Sequence, residues 1–235
     1  FTGASISTCT GTLLSPYVVL TAAHCVKPAN QPVVLPSQVA FNLNNNAWGS
    51  PNEDREIERI VVHPNFQGYV GGAAYDTALL LLAEPAQIAG GYPRVYRGNA
   101  AGDPLVTTST GMTLIGYGMD ETNAGSGVKR FGANFVDFYD DACLPQSGCS
   151  TPILANSHAY FDTSPTNQLA CPGDSGGPSI FTGAGGQKLI FGTASLIFSS
   201  SQTLICSAST NNAHLRMDLV APWIEAQQAL LEDDL

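Results

Sequence analysis

Short runs of apolar and β-branched residues, separated by polar turns, recur along the whole chain. Each run has the length of a single strand, and glycine, proline and asparagine cluster between the runs. The predicted strands are residues 12–14, 17–21, 38–43, 57–62, 77–82, 113–115, 134–138, 178–181, 189–197 and 203–205. Short strands at such regular spacing are typical of a β-sandwich or a β-barrel. The sequence therefore predicts an all-β protein.

The final stretch of the chain has a different period. Over residues 218–231, apolar side chains recur about every 3.6 positions, which indicates an amphipathic helix with Pro222 in its first turn, where proline is tolerated. A glycine- and proline-bearing stretch at 90–104 divides the strands into two groups. We therefore expect a β-barrel over residues 1–100, a second over 101–217 and a terminal helix over 218–235.

Acidic residues outnumber basic ones by 19 to 9, which gives a formal net charge of −10. Nucleic acids and anionic membranes attract basic proteins, so neither is expected as a partner. No apolar run approaches the ~20 residues that a membrane-spanning helix needs, and no basic-then-apolar leader is present. We expect an exported protein, extracellular or periplasmic, whose leader is not among these residues, and a monomer as the default.

The six cysteines indicate disulfide bonds rather than a metal site. No Cys-x-x-Cys pair occurs, and His24 beside Cys25 has no further ligand at metal-binding spacing, so no metal and no cofactor are expected. Disulfides fit an oxidising compartment. Six cysteines allow fifteen pairings, which stay open at this point.

The segment from Gly173 to Pro178, Gly-Asp-Ser-Gly-Gly-Pro, has the character of a nucleophile turn. A hydrolytic serine needs a backbone that turns sharply and presents N–H groups to a developing oxyanion, and glycine permits that conformation. Ser175 is therefore the candidate nucleophile. The segment also matches Gly-x-Ser-x-Gly, the nucleophile elbow of α/β-hydrolases, so the motif alone leaves two folds open.

The order of residues along the chain separates the two folds. An α/β-hydrolase places its acid and then its histidine after the serine, but no aspartate or glutamate lies between Ser175 and His214, the only later histidine. The opposite order is available. His24 lies in Leu-Thr-Ala-Ala-His-Cys and Asp76 in Tyr-Asp-Thr-Ala-Leu-Leu, and both precede Ser175.

Together, these three motifs resemble those of the trypsin-like (chymotrypsin-fold) serine peptidases. The matched stretches span nearly the whole chain and are residues 9–25, 60–82, 114–118, 171–178 and 222–224. The resemblance implies two antiparallel six-stranded β-barrels of chymotrypsin type with a C-terminal α-helix. It also implies a secreted serine endopeptidase that hydrolyses polypeptide substrates through an acyl-enzyme and that protein inhibitors can bind.

The resemblance also implies a role for each residue of the site. His24 takes the proton of Ser175 and later delivers it to the leaving amine, while Asp76 fixes the imidazole tautomer. The N–H groups of Gly173 and Ser175 form the oxyanion hole. Ser195 matches the family serine that donates a hydrogen bond to the buried aspartate.

The primary specificity pocket departs from that of trypsin. Leu169 occupies the position of the aspartate at the pocket base, so cleavage after Lys or Arg would bury an unpaired cation. Ile197 and Asn212 replace small glycines of the walls, and His214 aligns near the back, where histidines of some relatives bind acidic side chains. Leu196 and Ile197 are expected to form a strand edge for extended substrate. We expect a shallow apolar pocket for small or medium aliphatic side chains, as in elastases.

By the same resemblance, the disulfides are Cys9–Cys25, Cys171–Cys206 and Cys143–Cys149. In the family, an N-terminal α-ammonium inserts beside the aspartate that precedes the nucleophile, here Asp174. Only eight residues precede Cys9. Either a strand is absent from this sequence or Asp174 finds another partner, because a buried unpaired carboxylate is costly. Lys129 aligns with a lysine that pairs this aspartate in some single-chain relatives, and we expect it to do so here.

Two other histidines are expected to have no catalytic part. His63, in Val-His-Pro, matches a recurrent structural loop of the family, and His158 lies in a predicted polar loop. Three alternatives to an active endopeptidase stay open: a zymogen-like or inactive homologue that only binds, a structural or adhesion protein, and an esterase on another fold. The intact set of Ser175, His24 and Asp76 favours the active endopeptidase.

Overall fold

The computed structural model describes residues 7–49, 53–68, 74–122, 125–140, 156–163, 167–199, 206 and 209–235. Strands dominate these residues and form two largely antiparallel sheets, followed by one α-helix near the end of the chain. The predicted all-β class is therefore confirmed. Within these ranges, no helix has the length and apolar character needed to cross a membrane.

The first sheet is built from the chain up to residue 82. Its strands are β1 (Thr12–Leu13), β2 (Val18–Thr21), β3 (Ala40–Asn42), β4 (Asp54–Val62) and β5 (Ala78–Leu82). They pair in the order β1-β2-β5-β4-β3, each antiparallel to its neighbour. Leu79 and Leu81 enter one hydrophobic cluster while Leu80 and Leu82 enter another, because alternate side chains of a strand point to opposite faces. This burial on both faces explains the unbroken apolar sequence of β5.

The second sheet contains the remaining strands. They are β6 (Arg94–Val95), β7 (Gly111–Gly116), β8 (Arg130–Phe135), β9 (Phe138–Asp140), β10 (His158–Asp162), β11 (Pro178–Thr182), β12 (Lys188–Ser199) and β13 (Ser209–Arg216). The order is β8-β7-β11-β12-β13-β10-β9, and β6 pairs in parallel with β12. The long strand β12 is thus the centre of this sheet.

The strand boundaries differ from the predicted ones in several places. The described residues give five strands in the first sheet and eight in the second, where six and six were expected. The predicted strand 134–138 is divided between β8 and β9, and the predicted strand 203–205 lies outside the described residues. Strands β6, β10 and β13 were not predicted. In β10 the flanking residues are polar and the apolar run is short.

The terminal helix α1 spans Ala221–Asp233, with Pro222 in its first turn as predicted. It begins three residues later than expected because Met217–Leu219 forms a separate 3₁₀ turn. Ile224 and Leu231 are buried on the inner face of α1. Burying a side chain of this size stabilises the fold by about 1.5–3 kcal/mol.

One buried cluster is shared by the first sheet, the second sheet and α1. Its members are Leu14, Val18, Leu20, Leu79, Leu81, Val95, Ile190, Leu215, Met217, Val220, Ala221, Ile224 and Leu231. The cluster fixes the ends of β2 and β5 against β12 and β13. These strand ends carry the residues of the candidate site.

Candidate active site

His24 lies directly after a buried strand of the first sheet. Strand β2 ends at Thr21, and the 3₁₀ turn Ala23–Cys25 then presents the imidazole, whose side chain is 16% exposed. The predicted disulfide between Cys9 and Cys25 is present and closes this loop, with the two Cα atoms 6.2 Å apart. The histidine is therefore held by a strand on one side and a covalent bond on the other.

Asp76 lies just before strand β5 and is completely buried. The preceding residue, Tyr75, has φ +63°, a left-handed conformation that is uncommon for residues other than glycine. The Thr77 N–H donates to the Tyr75 carbonyl at 2.7 Å and closes a tight turn. His63 stacks on the Tyr75 ring, with centroids 4.6 Å apart, and also packs against Trp223. His63 thus supports the turn that aims Asp76, as its predicted structural role requires.

The Asp76 carboxylate accepts three hydrogen bonds from the described part of the chain. Oδ1 accepts the backbone N–H of His24 at 2.8 Å, and Oδ2 accepts the His24 Nδ1–H at 2.7 Å. The Ser195 hydroxyl also donates to Oδ2, at 2.6 Å. Because Nδ1 donates to Asp76, Nε2 faces away from the carboxylate and is left as the basic nitrogen.

Burial and pairing act on these two groups in opposite directions. Burial opposes the charged form of His24, but the negative charge of Asp76 and its hydrogen bond outweigh burial and raise the pKa of His24 above 6.5. Burial likewise opposes the carboxylate of Asp76. The charge of His24 and the hydrogen bonds from His24 and Ser195 outweigh it and lower the pKa of Asp76 below 3.8. The pair is therefore a carboxylate beside a histidine with raised basicity.

Ser175 lies in the turn that leads into strand β11, close to the Nε2 side of His24. Its carbonyl accepts the Thr10 N–H at 2.8 Å and lies 3.6 Å from Sγ of Cys25. The same sulfur lies 3.9 Å from Nε2 of His24. The Ser175 backbone and the Nε2 atom of His24 therefore both lie next to the sulfur of Cys25.

The residues before Ser175 form a tight turn with the geometry that its sequence favours. The Asp174 N–H donates to the Cys171 carbonyl at 2.9 Å, and Gly173 has φ +100°. Proline followed by glycine at the two central positions is the signature of a type II turn. The N–H groups of Gly173 and Ser175 donate to no other described residue. We call residues 171–174 the oxyanion turn.

Asp174 is held by backbone N–H groups in a niche that glycine creates. Its carboxylate accepts the Gly118 N–H at 2.6 Å and the Cys171 N–H at 2.7 Å. A Cβ at Gly116 would lie 1.8 Å from Asp174 Oδ1, so only glycine leaves room for this carboxylate. Burial raises the pKa of Asp174, while the two N–H groups and the charge of Arg130 counteract that rise.

The expected pairing of Lys129 with Asp174 is not found in this structure. The backbone N–H of Lys129 donates to the Asn45 carbonyl, and the cation that acts on Asp174 is the next residue, Arg130. The Arg130 guanidinium donates to the Gly118 carbonyl at 2.8 Å and to Asp120 at 3.3 Å. Adjacent residues of an extended chain point to opposite sides, so a one-residue difference exchanges the cation that faces the site.

A cavity of about 410 Å³ adjoins the oxyanion turn and has Leu169 and His214 among its lining residues. Asn212 bridges one wall, because its Oδ1 accepts the Ala170 N–H and its Nδ2 donates to the Ala170 carbonyl at 3.0 Å. Leu196, in strand β12, is buried. Of the predicted pocket residues, Leu169 and His214 line the cavity directly, and Asn212 is bonded to Ala170, which also lines it.

His214 and His158 are neutral buried side chains. The ring of His214 meets Phe161 edge-on at 4.7 Å, and neither of its nitrogens has a hydrogen-bond partner among the described residues. Burial lowers the pKa of His214 to about 3 and that of His158 to about 4. His158 was expected in a polar loop, but it is fully buried in β10, where its Nδ1 lies 2.8 Å from the Ser157 hydroxyl.

The remaining cysteines agree with the sequence analysis as far as the described residues extend. The disulfide Cys171–Cys206 is present, whereas Cys143 and Cys149 lie outside the described residues. His24 also lies near the sulfurs of Cys9 and Cys25, a grouping that could suggest a metal site. Both sulfurs are bonded to each other, so they have no thiolate to offer a metal.

Two features of the site had no signal in the sequence analysis. The buried hydroxyl of Thr10 contacts both Tyr117 and Gly173, and the Pro172 carbonyl accepts the Met119 N–H at 2.9 Å. Only the Pro-Gly pair of the oxyanion turn could have been recognised from sequence, as a type II turn signature.

Comparison with known proteins agrees with this geometry. The trypsin family model matches residues 2–215. Serine protease SP24D of Anopheles gambiae is 27% identical to this chain over 93% of the chain and 71% of that protein. Chymotrypsin-like elastase family member 1 of Felis catus is 27% identical over 92% of this chain and 77% of that protein. Phenoloxidase-activating factor 3 of Holotrichia diomphalia is 30% identical over 78% of this chain and 54% of that protein. This chain belongs to the trypsin family of serine proteases.

Proposed function

We propose that the chain is a secreted serine endopeptidase with Ser175 as nucleophile, His24 as general base and Asp76 as the residue that orients His24. The observation that carries this proposal is the 2.7 Å hydrogen bond from His24 Nδ1 to Asp76. It selects the tautomer in which Nε2 can accept a proton. The raised pKa of His24 strengthens Nε2 as a base.

These residues support hydrolysis of the peptide bond in two stages. The Ser175 hydroxyl oxygen attacks the scissile carbonyl carbon while its proton passes to His24 Nε2. The imidazolium that forms is stabilised by the buried Asp76 carboxylate. His24 next delivers the proton to the leaving amine as the C–N bond breaks, which leaves an acyl ester on Ser175. Water, activated by His24, hydrolyses this ester and regenerates the enzyme.

The oxyanion formed in each step needs hydrogen-bond donors that are already in place. The N–H groups of Gly173 and Ser175 fit this role because neither donates to another described residue. The left-handed conformation of Gly173 supports the assignment, since a side chain at φ +100° would be strained. Loss of one such donor typically costs about 10²–10³ in turnover.

The pocket supports cleavage after small or medium apolar residues. Leu169 lines the cavity and offers no charge to a Lys or Arg side chain. The amide of Asn212 is already bonded to both backbone groups of Ala170. His214 is uncharged at neutral pH because burial lowers its pKa to about 3, which argues against an anionic side chain in the pocket. The elastase name of one relative agrees with this preference.

Strand β12 offers an edge for an extended substrate. Its pairing with β11 ends at Thr193, while Leu196 and Ile197 still pair with β13 on the other side. Among the described residues, the β11-side edge of β12 beyond Thr193 carries no strand. A peptide that adds to this edge gains main-chain hydrogen bonds and places its side chains at the pocket.

The remaining parts of the proposal concern location and partners. The disulfides Cys9–Cys25 and Cys171–Cys206 support an oxidising, extracellular or periplasmic location. The net charge of −10 does not favour nucleic acid as a partner. We propose a monomer that acts on polypeptides and that protein inhibitors of serine proteases can block.

The competing proposal is a zymogen-like or inactive homologue, motivated by a partly buried Asp174 that has backbone N–H groups in place of an ammonium partner. Reaction with a sulfonyl fluoride separates the two. The active enzyme is expected to be labelled at Ser175, and the Ser175→Ala variant is the matched control. A folded chain that takes up no label would support the inactive homologue. Cleavage of a peptide library then distinguishes a peptidase from an esterase and reads the preferred side chain.

A further inference from the structure

Thr10 joins the two halves of the molecule through one buried hydroxyl. The residue follows Cys9 and is only 3% exposed. Its hydroxyl accepts the Tyr117 N–H at 3.0 Å and donates to the Gly173 carbonyl at 3.1 Å. Both partners belong to the second half of the chain, one directly after β7 and one in the oxyanion turn. The hydroxyl therefore uses its donor and an acceptor site on two segments at once.

Both backbone groups of Thr10 also form hydrogen bonds. Its N–H donates to the Ser175 carbonyl at 2.8 Å, and its carbonyl accepts the Thr21 hydroxyl at 2.9 Å. Thr21 is the last residue of β2, three residues before His24. Thr10 thus contacts the nucleophile, the oxyanion turn and the strand that carries the general base.

The peptide planes on either side of Gly173 are each fixed by one hydrogen bond. The Pro172 carbonyl accepts the Met119 N–H at 2.9 Å, and the Gly173 carbonyl accepts the hydroxyl of Thr10. The N–H and C=O of a trans peptide point in opposite directions, so a fixed Pro172 carbonyl also fixes the Gly173 N–H. Glycine has little intrinsic preference among conformations, so the turn depends on such external contacts.

We propose that Thr10 is a positioning residue that holds the oxyanion turn in its productive orientation from the opposite half of the molecule. The inference rests on the proposed function, because it gives Thr10 a part in turnover. Thr10 acts through Gly173 and does not contact the substrate. Its effect is expected in the chemical step, where a displacement of about 1 Å costs up to 10²-fold in rate.

Three threonine variants test this role. Thr10→Val keeps the shape of the side chain but removes both hydrogen bonds, whereas Thr10→Ser keeps the hydroxyl. Thr12→Val is the matched control, because the Thr12 hydroxyl is buried without a hydrogen-bond partner among the described residues. We expect Thr10→Val to lower kcat roughly tenfold to a hundredfold and to change KM by less than about twofold. Thr10→Ser and Thr12→Val are expected to stay within about threefold of wild type.

A transition-state analogue gives a second readout that a purely structural role would not move. A peptide boronate forms a tetrahedral adduct and places an oxygen in the oxyanion hole, whereas the amine-side product peptide, which has no carboxyl group at the cleaved bond, does not. The Thr10→Val variant is expected to bind the boronate more weakly by the same factor as kcat/KM falls, and to bind the product peptide unchanged. Equal weakening of both ligands would contradict the proposal.

The variants must be compared as folded proteins. Thermal unfolding of each variant provides this check, and Thr10→Ala replaces Thr10→Val if the valine variant does not fold. Wild-type kcat in the folded hydroxyl-free variant, or an equal loss in Thr10→Ser, would overturn the role of the hydroxyl. A wild-type chain that takes no sulfonyl fluoride label would instead defeat the proposed function. In that case, faster hydrogen exchange at the Asp174 amide in Thr10→Val would still show that Thr10 holds the oxyanion turn, and unchanged exchange would refute it.

Discussion

Two carboxylates of the site, the fully buried Asp76 and the partly buried Asp174, accept hydrogen bonds from different kinds of donor. Asp76 accepts hydrogen bonds from an imidazole that can carry charge, from the Ser195 hydroxyl and from a backbone N–H. Asp174 accepts hydrogen bonds from two backbone N–H groups, and the positive charge of Arg130 acts on it without a hydrogen bond among the described residues. Burial opposes the charged form of both groups, yet the pKa of Asp76 is lowered by its partners and that of Asp174 is raised.

The contrast separates two tasks that a buried carboxylate can perform. The electrostatic interaction between a carboxylate and an ionisable partner becomes stronger when that partner gains a proton. Asp76 can therefore stabilise the charge that forms on His24 during the reaction. Backbone N–H groups do not change charge, so their interaction with a carboxylate stays the same throughout a reaction. Such a carboxylate fixes the backbone that donates to it, and Asp174 thereby links the segment after β7 to the oxyanion turn.

The largest expected effect comes from removing the charge of Asp76. Asp76→Asn turns one acceptor oxygen into a donor that faces His24 Nδ1, and so favours the tautomer in which Nε2 carries the proton. We expect kcat to fall by about 10⁴, with the fold retained. Steady-state turnover of a peptide ester measures this loss, and the Ser175→Ala variant gives the background rate. A loss below tenfold would remove Asp76 from its assigned role.

The hydrogen-bonded pair of His24 and Asp76 also predicts how kcat/KM depends on pH. Only neutral His24 can accept the Ser175 proton, so kcat/KM should fall as the pH drops through the pKa of His24. Because Asp76 raises that pKa above 6.5, the half-maximal rate should lie on the alkaline side of this value. In Asp76→Asn the raising influence is gone while burial remains, so the midpoint should move to lower pH. A midpoint that does not move would show that a group other than His24 causes the loss of kcat/KM at low pH.

A smaller effect is expected at the second carboxylate. In Asp174→Asn the amide oxygen can still accept the Gly118 N–H, but the NH₂ group faces the Cys171 N–H. The lost hydrogen bond should lower the free energy of unfolding by about 1–3 kcal/mol. We expect kcat to fall by about 10², because the oxyanion turn loses one of its supports. A loss as large as that of Asp76→Asn would indicate that the charge of Asp174, and not its geometry, is required.

The smallest effect is expected at the cation near Asp174. Arg130→Met removes the bonds to the Gly118 carbonyl and to Asp120, so the segment that donates to Asp174 should loosen. We expect kcat to fall by about threefold, since both groups of this ion pair are partly exposed. Arg59→Met is the control, because Arg59 pairs with exposed Asp234 far along the chain and should leave kcat unchanged. Equal kcat in both variants would exclude a supporting role for Arg130.

The parts of the molecule that were predictable from sequence are those with local patterns. The run Val18–Thr21 before His24 and the run Ala78–Leu82 after Asp76 mark buried strands, and the order of the three motifs excluded the hydrolase elbow. The role of Thr10 had no such pattern. Its hydroxyl partners lie 107 and 163 residues away, and a threonine that bonds across the fold looks like any other threonine.

Two predictions about individual site residues differ from the structure for related physical reasons. The cation near Asp174 was assigned to Lys129, but the structure places Arg130 there, and alternation along an extended chain turns a shift of one residue into a change of side. His158 was assigned to a polar loop because polar residues surround it, yet it begins a fully buried run in β10. Burial in a sheet depends on neighbouring strands, which a single segment does not reveal.

The hydrophobic cluster shared by both sheets and α1 determines how the protein unfolds. Leu20 and Leu79 from the first sheet, Ile190 and Leu215 from the second and Ile224 from the helix are all in this cluster. Each sheet also has a buried cluster of its own, but separating the sheets would expose both sides of the shared cluster to water. Unfolding should therefore be one cooperative transition. The residues around Ser175 consequently come together only when both sheets are folded and packed, so a partly folded chain should have no peptidase activity.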